Sequence, residues 1–215
     1  GMVATRSSWA SQIGADILSQ GGNAVDAAVA VGFGLAVSYP SAGNLGGGGF
    51  MVIRLADGTV ITNDHREKAP GSASKDMFLD ENGDVVKGLS TRSHLAAGVP
   101  GSVAGLLDVL EKYGTMKRAQ VMQPAIELAA KGIVVDRDLA ESFARRGQAF
   151  AMYPASAAVF SKETGPYQVG DLWQQPDLAA SLERIKKQGK SGFYQGKTAD
   201  LLVAEVQRGG GLISH

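Results

Sequence analysis

Asp64, His65, Arg66 and Glu67 stand in one charged run, delivered by an apolar stretch that ends just before them. A strand that carries charged groups to its end places them well to hold a ligand, because the scaffold fixes their position. Ahead of that strand lie four consecutive glycines, Gly46 to Gly49, with Gly43 close by. Glycines without a Cβ accept left-handed backbone angles and let another segment or a ligand approach closely, at an entropic cost that something must offset.

Several other chemistries fit the residue types and fail on their arrangement. The glycine run suggests a phosphate loop, but such loops lie between a strand and the N-terminus of a helix. Here the order is helix, loop, strand, so no helix dipole is expected to face an anion at the glycines. Gly189-Lys190-Ser191 lacks the upstream glycine of the other phosphate motif. The acidic run Asp80-Glu81-Asn82-Gly83-Asp84 has the wrong spacing for a calcium loop, and Thr91 stands where a closing glutamate is needed. It reads as a solvated turn. His94 reads as a structural histidine in a short strand, and Asp26 as a carboxylate in the positive first turn of a helix. With no cysteine and three scattered histidines there is no thiolate nucleophile, no disulfide framework and no recognisable zinc site, and no metal or cofactor is expected. A formal net charge of zero gives no footprint for nucleic acid or an anionic membrane. No basic segment followed by an apolar core opens the chain, so any signal peptide is expected to have been removed or to lie outside this sequence.

The elements that must position the charged run follow from periodicity. Ser7 or Ser8 caps a helix with Trp9, Ile13 and Ile17 on one face, ended by Gly21-Gly22. Asn23 caps a second, almost wholly apolar helix over 24–37, stopped by Tyr39-Pro40 and too short to span a bilayer, which needs roughly twenty residues. Asp57-Gly58 between Phe50–Leu55 and Thr59–Thr62 predicts a hairpin. Its first strand is apolar at nearly every position, which predicts that both faces are covered. Pro100-Gly101 opens a helix bearing Val103, Leu106, Leu107 and Leu110, closed near Gly114. Helices are expected over Pro124–Lys131, Leu139–Arg146, Pro176–Gln188 and Thr198–Arg208, with a turn-rich loop over Ser161–Gly170. The chain is long enough for a sizeable core and reads as one domain over 1–215, with a sheet-forming part over about 1–100 and a helical lobe over about 100–215. The residues alone assemble no nucleophile, base and oxyanion set, and they leave open an enzyme part or a non-catalytic binding or structural module.

Four motifs decide between these. Gly22-Asn23-Ala24-Val25-Asp26-Ala27-Ala28-Val29-Ala30, Ala42-Gly43-Asn44-Leu45-Gly46-Gly47-Gly48-Gly49-Phe50, Arg66-Glu67-x-Ala69-Pro70 and Val99-Pro100-Gly101 resemble, nearly end to end, the large subunit of gamma-glutamyltranspeptidase. That family belongs to the N-terminal-nucleophile hydrolases and is made as a precursor, a zymogen that cleaves itself into a large and a small subunit. The resemblance implies an α+β fold, helix-rich, forming the opening half of a four-layer αββα sandwich. It implies that the gamma-glutamyl group of glutathione and related compounds is transferred to water or to amino-acid and peptide acceptors. The nucleophile is then a threonine at the N-terminus of the small subunit, so that no catalytic residue lies in this chain, which is expected to be a truncated large-subunit portion inactive alone.

For the site, the resemblance implies that Arg66 binds the alpha-carboxylate of the gamma-glutamyl donor, a task for which a planar guanidinium fork suits better than lysine. Glu67 is expected to support that arginine by a salt bridge or to meet the donor's ammonium. The expected partners are the small subunit of the same precursor, gamma-glutamyl donors and amino-acid acceptors, and the expected location is periplasmic or extracellular. Without the remaining chain, the hairpin over Phe50–Arg66 is expected to present an unpaired edge or apolar face.

Overall fold

The computed structural model describes residues 1–215. In chain order the elements begin with helices α1 (Ser8–Ser19) and α2 (Ala24–Ser38) and the strands β1 (Phe50–Arg54) and β2 (Val60–Asp64). A single turn α3 (Leu89–Arg92) precedes helices α4 (Ser102–Tyr113) and α5 (Arg118–Lys131). A short strand β3 (Ile133–Val134) leads to α6 (Arg137–Ala151) and α7 (Pro154–Phe160), followed by the two-residue strands β4 (Ser161–Lys162), β5 (Gly165–Pro166) and β6 (Leu172–Trp173). Helices α8 (Pro176–Gln188), α9 (Ser191–Tyr194) and α10 (Gly196–Arg208) end the order. None of these helices is long and apolar enough to cross a membrane. The chain sorts into two compact units, residues 1–43 with 115–183 and residues 44–114 with 184–215, so the expected lobe boundary near residue 100 falls inside the second unit.

The first unit is built on α1 and α2. Ser7 caps α1 by accepting from the Ala10 amide at 3.4 Å, and its hydroxyl donates to Ser38 Oγ at the far end of α2. The buried face of α1 is Ala10, Ile13, Gly14 and Ile17, while Trp9, expected on that face, is 39% exposed. The small residues move the face: a Cβ on Gly14 would come within 2.7 Å of Val31, and one on Gly34 within 3.1 Å of Ile13. Only helices stripped of side chains at the crossing approach this closely. Asn23 caps α2 and Asp26 returns the bond, its carboxylate accepting from the Asn23 amide at 2.8 Å. The same buried carboxylate accepts from Thr115 N, Thr115 Oγ1 and Met116 N at 2.6 to 3.0 Å, tying the start of α2 to the approach to α5.

Helix α5 begins at Arg118, six residues before the expected start, and runs through Pro124. The proline removes one backbone bond, yet Val121 and Met122 ahead of it are fully buried, and their burial holds the first turns in place. A second cluster of Ile133, Val135, Leu139, Phe143 and Trp173 closes the unit, with Trp173 edge-on to Phe143 at 5.0 Å and its indole N–H donating to Val159 O at 2.9 Å. The turn-rich segment expected over Ser161–Gly170 contains the miniature β4–β5 hairpin.

In the second unit, β1 and β2 pair antiparallel with Phe50 opposite Asp64 and Ile53 opposite Ile61. The expectation that both faces of β1 are covered is overturned. Only Ile53 is buried, whereas Phe50, Val52 and Val60 are 66%, 73% and 61% exposed. The side chains alternate as in any strand, so Met51 and Ile53 face inward and Phe50 and Val52 form an uncovered apolar face. β2 is likewise half-exposed rather than buried. His94 lies in a 3-10 turn over His94–Ala96 rather than a strand, with Nε2 2.9 Å from Glu205 Oε1 on α10. Asp80 accepts from the Asn82 and Asp84 amides in an exposed turn, as its composition predicts.

Candidate functional site

The backbone of the Arg-Glu pair is held at both ends. Just before it, Gly49 and His65 exchange two hydrogen bonds of 3.0 and 3.3 Å, extending the hairpin by one residue pair past β1. Just after it, Lys68 and Val99 exchange two more, of 2.7 and 3.1 Å. Asp64 at the end of β2 accepts from the Arg66 amide at 3.0 Å. Arg66 and Glu67 thus stand between two short stretches of ladder that fix the backbone on either side of them.

The glycine run lies beneath them. Gly47 O accepts from the amides of Gly101 and Ser102 at 2.7 and 3.0 Å, so a loop carbonyl caps the N-terminus of α4. Asn44 Oδ1 accepts from Gly47 N at 2.8 Å and from Ser102 Oγ at 2.7 Å, fixing the loop in that pose. A further amide of the same helix end, Ala104 N, donates to Tyr194 Oη at 3.1 Å, and that hydroxyl donates to Pro100 O at 2.9 Å. These partners explain in physical terms why the glycines are no phosphate cradle. The helix terminus near them meets a carbonyl and a phenol, with the loop acting as acceptor. Gly48 lies against Glu67 and the Arg66 Cα without room for a side chain.

His65 points to the covered side of the hairpin. Its Nδ1 donates to Asn63 Oδ1 at 2.7 Å, and Gly49, Gly101 and Gly105 all approach it too closely for a Cβ. Burial pushes its pKa down, with the Asp64 charge pulling weakly the other way. Asn63, His65, Lys68, Lys190 and Tyr194 border an open groove of about 380 Å³.

Arg66 points to the opposite, uncovered face, with its side chain 55% exposed. Its Nε and Nη2 donate to Glu67 Oε2 and Oε1 at 3.1 and 2.7 Å, so Glu67 grips one edge of the guanidinium with both carboxylate oxygens. That bond holds the Glu67 pKa down to about 2 and pushes Arg66 up, so the pair is fully ionised. The Phe50 ring lies 5.7 Å from the guanidinium carbon. The end-on edge, formed by Nη1 and the second hydrogen of Nη2, makes no hydrogen bond within the chain, and the side chain is more than half exposed. A guanidinium has five donors, and a second carboxylate fits there bidentately while Glu67 keeps the first edge.

The sequence placed Arg66 and Glu67 together and the structure joins them. It did not single out Phe50, Asn44, Ser102 or Tyr194. Gly101 and Gly105, four apart on one helix face, were the available sign of a close approach to α4.

Comparison with known proteins adds the family. A Gamma-glutamyltranspeptidase family model matches residues 10–215. The glutathione hydrolase proenzyme of Pseudomonas sp. strain A14 is 49% identical over 216 residues, covering all of this chain and 38% of that protein. The proenzyme of the same name from Escherichia coli strain K12 is also 49% identical, over all of this chain and 37% of its own length. The crystal structure of Helicobacter pylori gamma-glutamyltranspeptidase superposes with a TM-score of 0.98 at 48% identity, covering all of this chain and 62% of that one. The chain therefore spans well under half the length of these curated relatives. Its helix-rich α+β architecture is that of the matching part of the solved enzyme, as the sequence motifs implied. On this agreement of motif, family model and superposed structure, the chain belongs to the gamma-glutamyltranspeptidase family.

Proposed function

We propose that this chain supplies the donor-carboxylate site of an enzyme that cleaves the gamma-glutamyl amide of glutathione and related compounds and passes the gamma-glutamyl group to water or to amino-acid and peptide acceptors. The carrying observation is the division of the Arg66 guanidinium into an edge held by Glu67 and an open edge. Salt bridge and ligand are then not alternatives: the first orients the donors that the second needs. In this proposal Glu67 does not touch the donor. Its carboxylate holds one edge of Arg66 and keeps the guanidinium charged, and the alpha-carboxylate of the gamma-glutamyl group docks end-on at the other edge.

The chemistry itself is assigned to a threonine on a small subunit released from the same precursor. Its hydroxyl attacks the gamma-carbonyl, its own amine takes the proton, and backbone amides stabilise the oxyanion. The amide bond breaks as the proton passes to the leaving amine, giving a gamma-glutamyl ester. Water or an acceptor amine then attacks that ester and the threonine hydroxyl is regenerated. Arg66 contributes position: a carboxylate fixed at one end of a short substrate sets where the gamma-carbonyl lies. For location the proposal is the periplasm or the outside of the cell, on the family resemblance alone.

The test compares this chain alone with the full-length, self-processed protein on a gamma-glutamyl anilide. The proposal expects turnover from the processed protein and none from the chain alone. Turnover by the purified chain would overturn the assignment of the nucleophile elsewhere, and an inert processed protein would favour a non-catalytic module.

A further inference from the structure

We propose that Phe50 is a positioning residue for donor recognition, its aromatic face setting the tilt of the Arg66 guanidinium so that the open edge meets the donor carboxylate. The inference rests on the reading of Arg66 as the carboxylate ligand and adds a residue to that site.

The geometry begins with the strand register. Phe50 pairs directly with Asp64. Side chains two apart on a strand share a face, so Arg66 falls on the same face as Asp64 and lies diagonally across from Phe50. The guanidinium carbon stands 5.7 Å from the ring centroid, within the range of a cation–π contact. Glu67 fixes the guanidinium within its own plane through two parallel bonds, but a fork joined to a fork still turns about the line between them. An aromatic ring against the guanidinium limits that turning, and Phe50 is the ring within cation–π range.

Phe50 itself is firmly set. It follows Gly49, whose amide and carbonyl both pair with His65, and it opens β1. Phe50 is 66% exposed, so it adds little to the core of its unit, and its ring stands within reach of the arginine.

The experiment uses the full-length, self-processed enzyme and two ligands, a gamma-glutamyl anilide and its analogue with hydrogen in place of the alpha-carboxylate, 4-aminobutyryl anilide, read as KM or as an inhibition constant. Phe50→Leu is expected to raise the KM of the carboxylate-bearing donor roughly 3- to 30-fold with little change in kcat, while leaving the analogue's constant in place. Phe50→Tyr, which keeps the ring, is expected to restore the donor constant. Should Phe50→Leu fail to fold or self-process, fluorinated phenylalanines at position 50 keep the shape and weaken the negative ring face, and KM should climb with fluorination. An unchanged donor constant in Phe50→Leu, equal weakening of both ligands, or indifference to fluorination would overturn the inference. Arg66→Ala separates its failure from that of the underlying reading. If Arg66→Ala abolishes discrimination between the two ligands and Phe50→Leu does not reduce it, Arg66 stands and Phe50 falls. If Arg66→Ala leaves the discrimination intact, the reading of Arg66 falls and the inference with it.

Discussion

Gly48 and Glu67 touch so closely that no side chain fits between them: a Cβ on Gly48 would lie 2.5 Å from the Glu67 amide nitrogen and 2.6 Å from its Oε2. Both distances are far inside van der Waals contact, and one of the atoms is backbone that cannot swing aside. The glycine run is thus a mould for the Arg-Glu pair. Gly46, two residues earlier, meets nothing within 4 Å. In processed enzyme, Gly48→Ala should raise the donor KM by roughly tenfold or more, because small misplacements of a binding group are costly. Gly46→Ala should be close to wild type. Steady-state kinetics on the two variants side by side check this, and equal effects would show that the run acts through chain flexibility instead.

Asp26 gives a prediction about stability alone. Burial pushes its pKa up, but hydrogen bonds from Thr115, Met116 and Asn23 outweigh it and the net shift is downward. A carboxylate depressed in the folded state contributes stability that is complete above its unfolded pKa of 3.8 and is lost as the pH falls through the folded value. Asp26→Asn turns one acceptor oxygen into a donor facing other donors and should cost on the order of 2 to 3 kcal/mol at neutral pH. Denaturant unfolding of the chain measures it. The acid limb of the stability profile below pH 3.8 should flatten in the variant.

His65 predicts the pH profile nearer neutrality. Its folded pKa is depressed by burial from 6.5, so the unfolded chain takes up protons first as the pH drops. Stability is complete above 6.5 and declines as the pH falls below it toward the folded value. His65→Gln, which cannot ionise, should remove that part of the decline. Melting temperatures at pH 7.5 and pH 5.5 for both proteins check it, and parallel declines would assign the effect to other groups.

Phe50, Val52 and Val60 form an apolar face that nothing in their unit covers. The chain alone should bind an apolar dye and self-associate, and Val52→Lys with Val60→Lys should reduce both. Sedimentation and dye fluorescence decide, and a dye-silent monomer at high concentration would show the face to be protected.

What could be read in the sequence was local. The Asp57-Gly58 hairpin and the Asn23–Asp26 capping pair are settled by residues a few positions apart, and each formed as expected. Trp9 and the start of α5 were misjudged because distant contacts settled them: the close crossing at Gly14 turned α1, and burial of Val121 and Met122 carried α5 through Pro124. At the site, the motif named Arg66 and Glu67. The open guanidinium edge depends on rotamers, and the Phe50 contact on register, neither of which a motif contains.

The central claim is that Arg66 binds the donor carboxylate through its open edge while Glu67 holds the other. The most direct measurement is the donor constant of Arg66→Ala and Arg66→Lys in full-length, self-processed enzyme, recorded beside self-cleavage and melting. Loss of a bidentate charged contact should weaken donor binding on the order of a hundredfold in Arg66→Ala, with Arg66→Lys between it and wild type, while both variants process and melt normally. An unchanged donor constant with poor processing and early melting would contradict the account and leave Arg66 as a stabilising partner of Glu67 only.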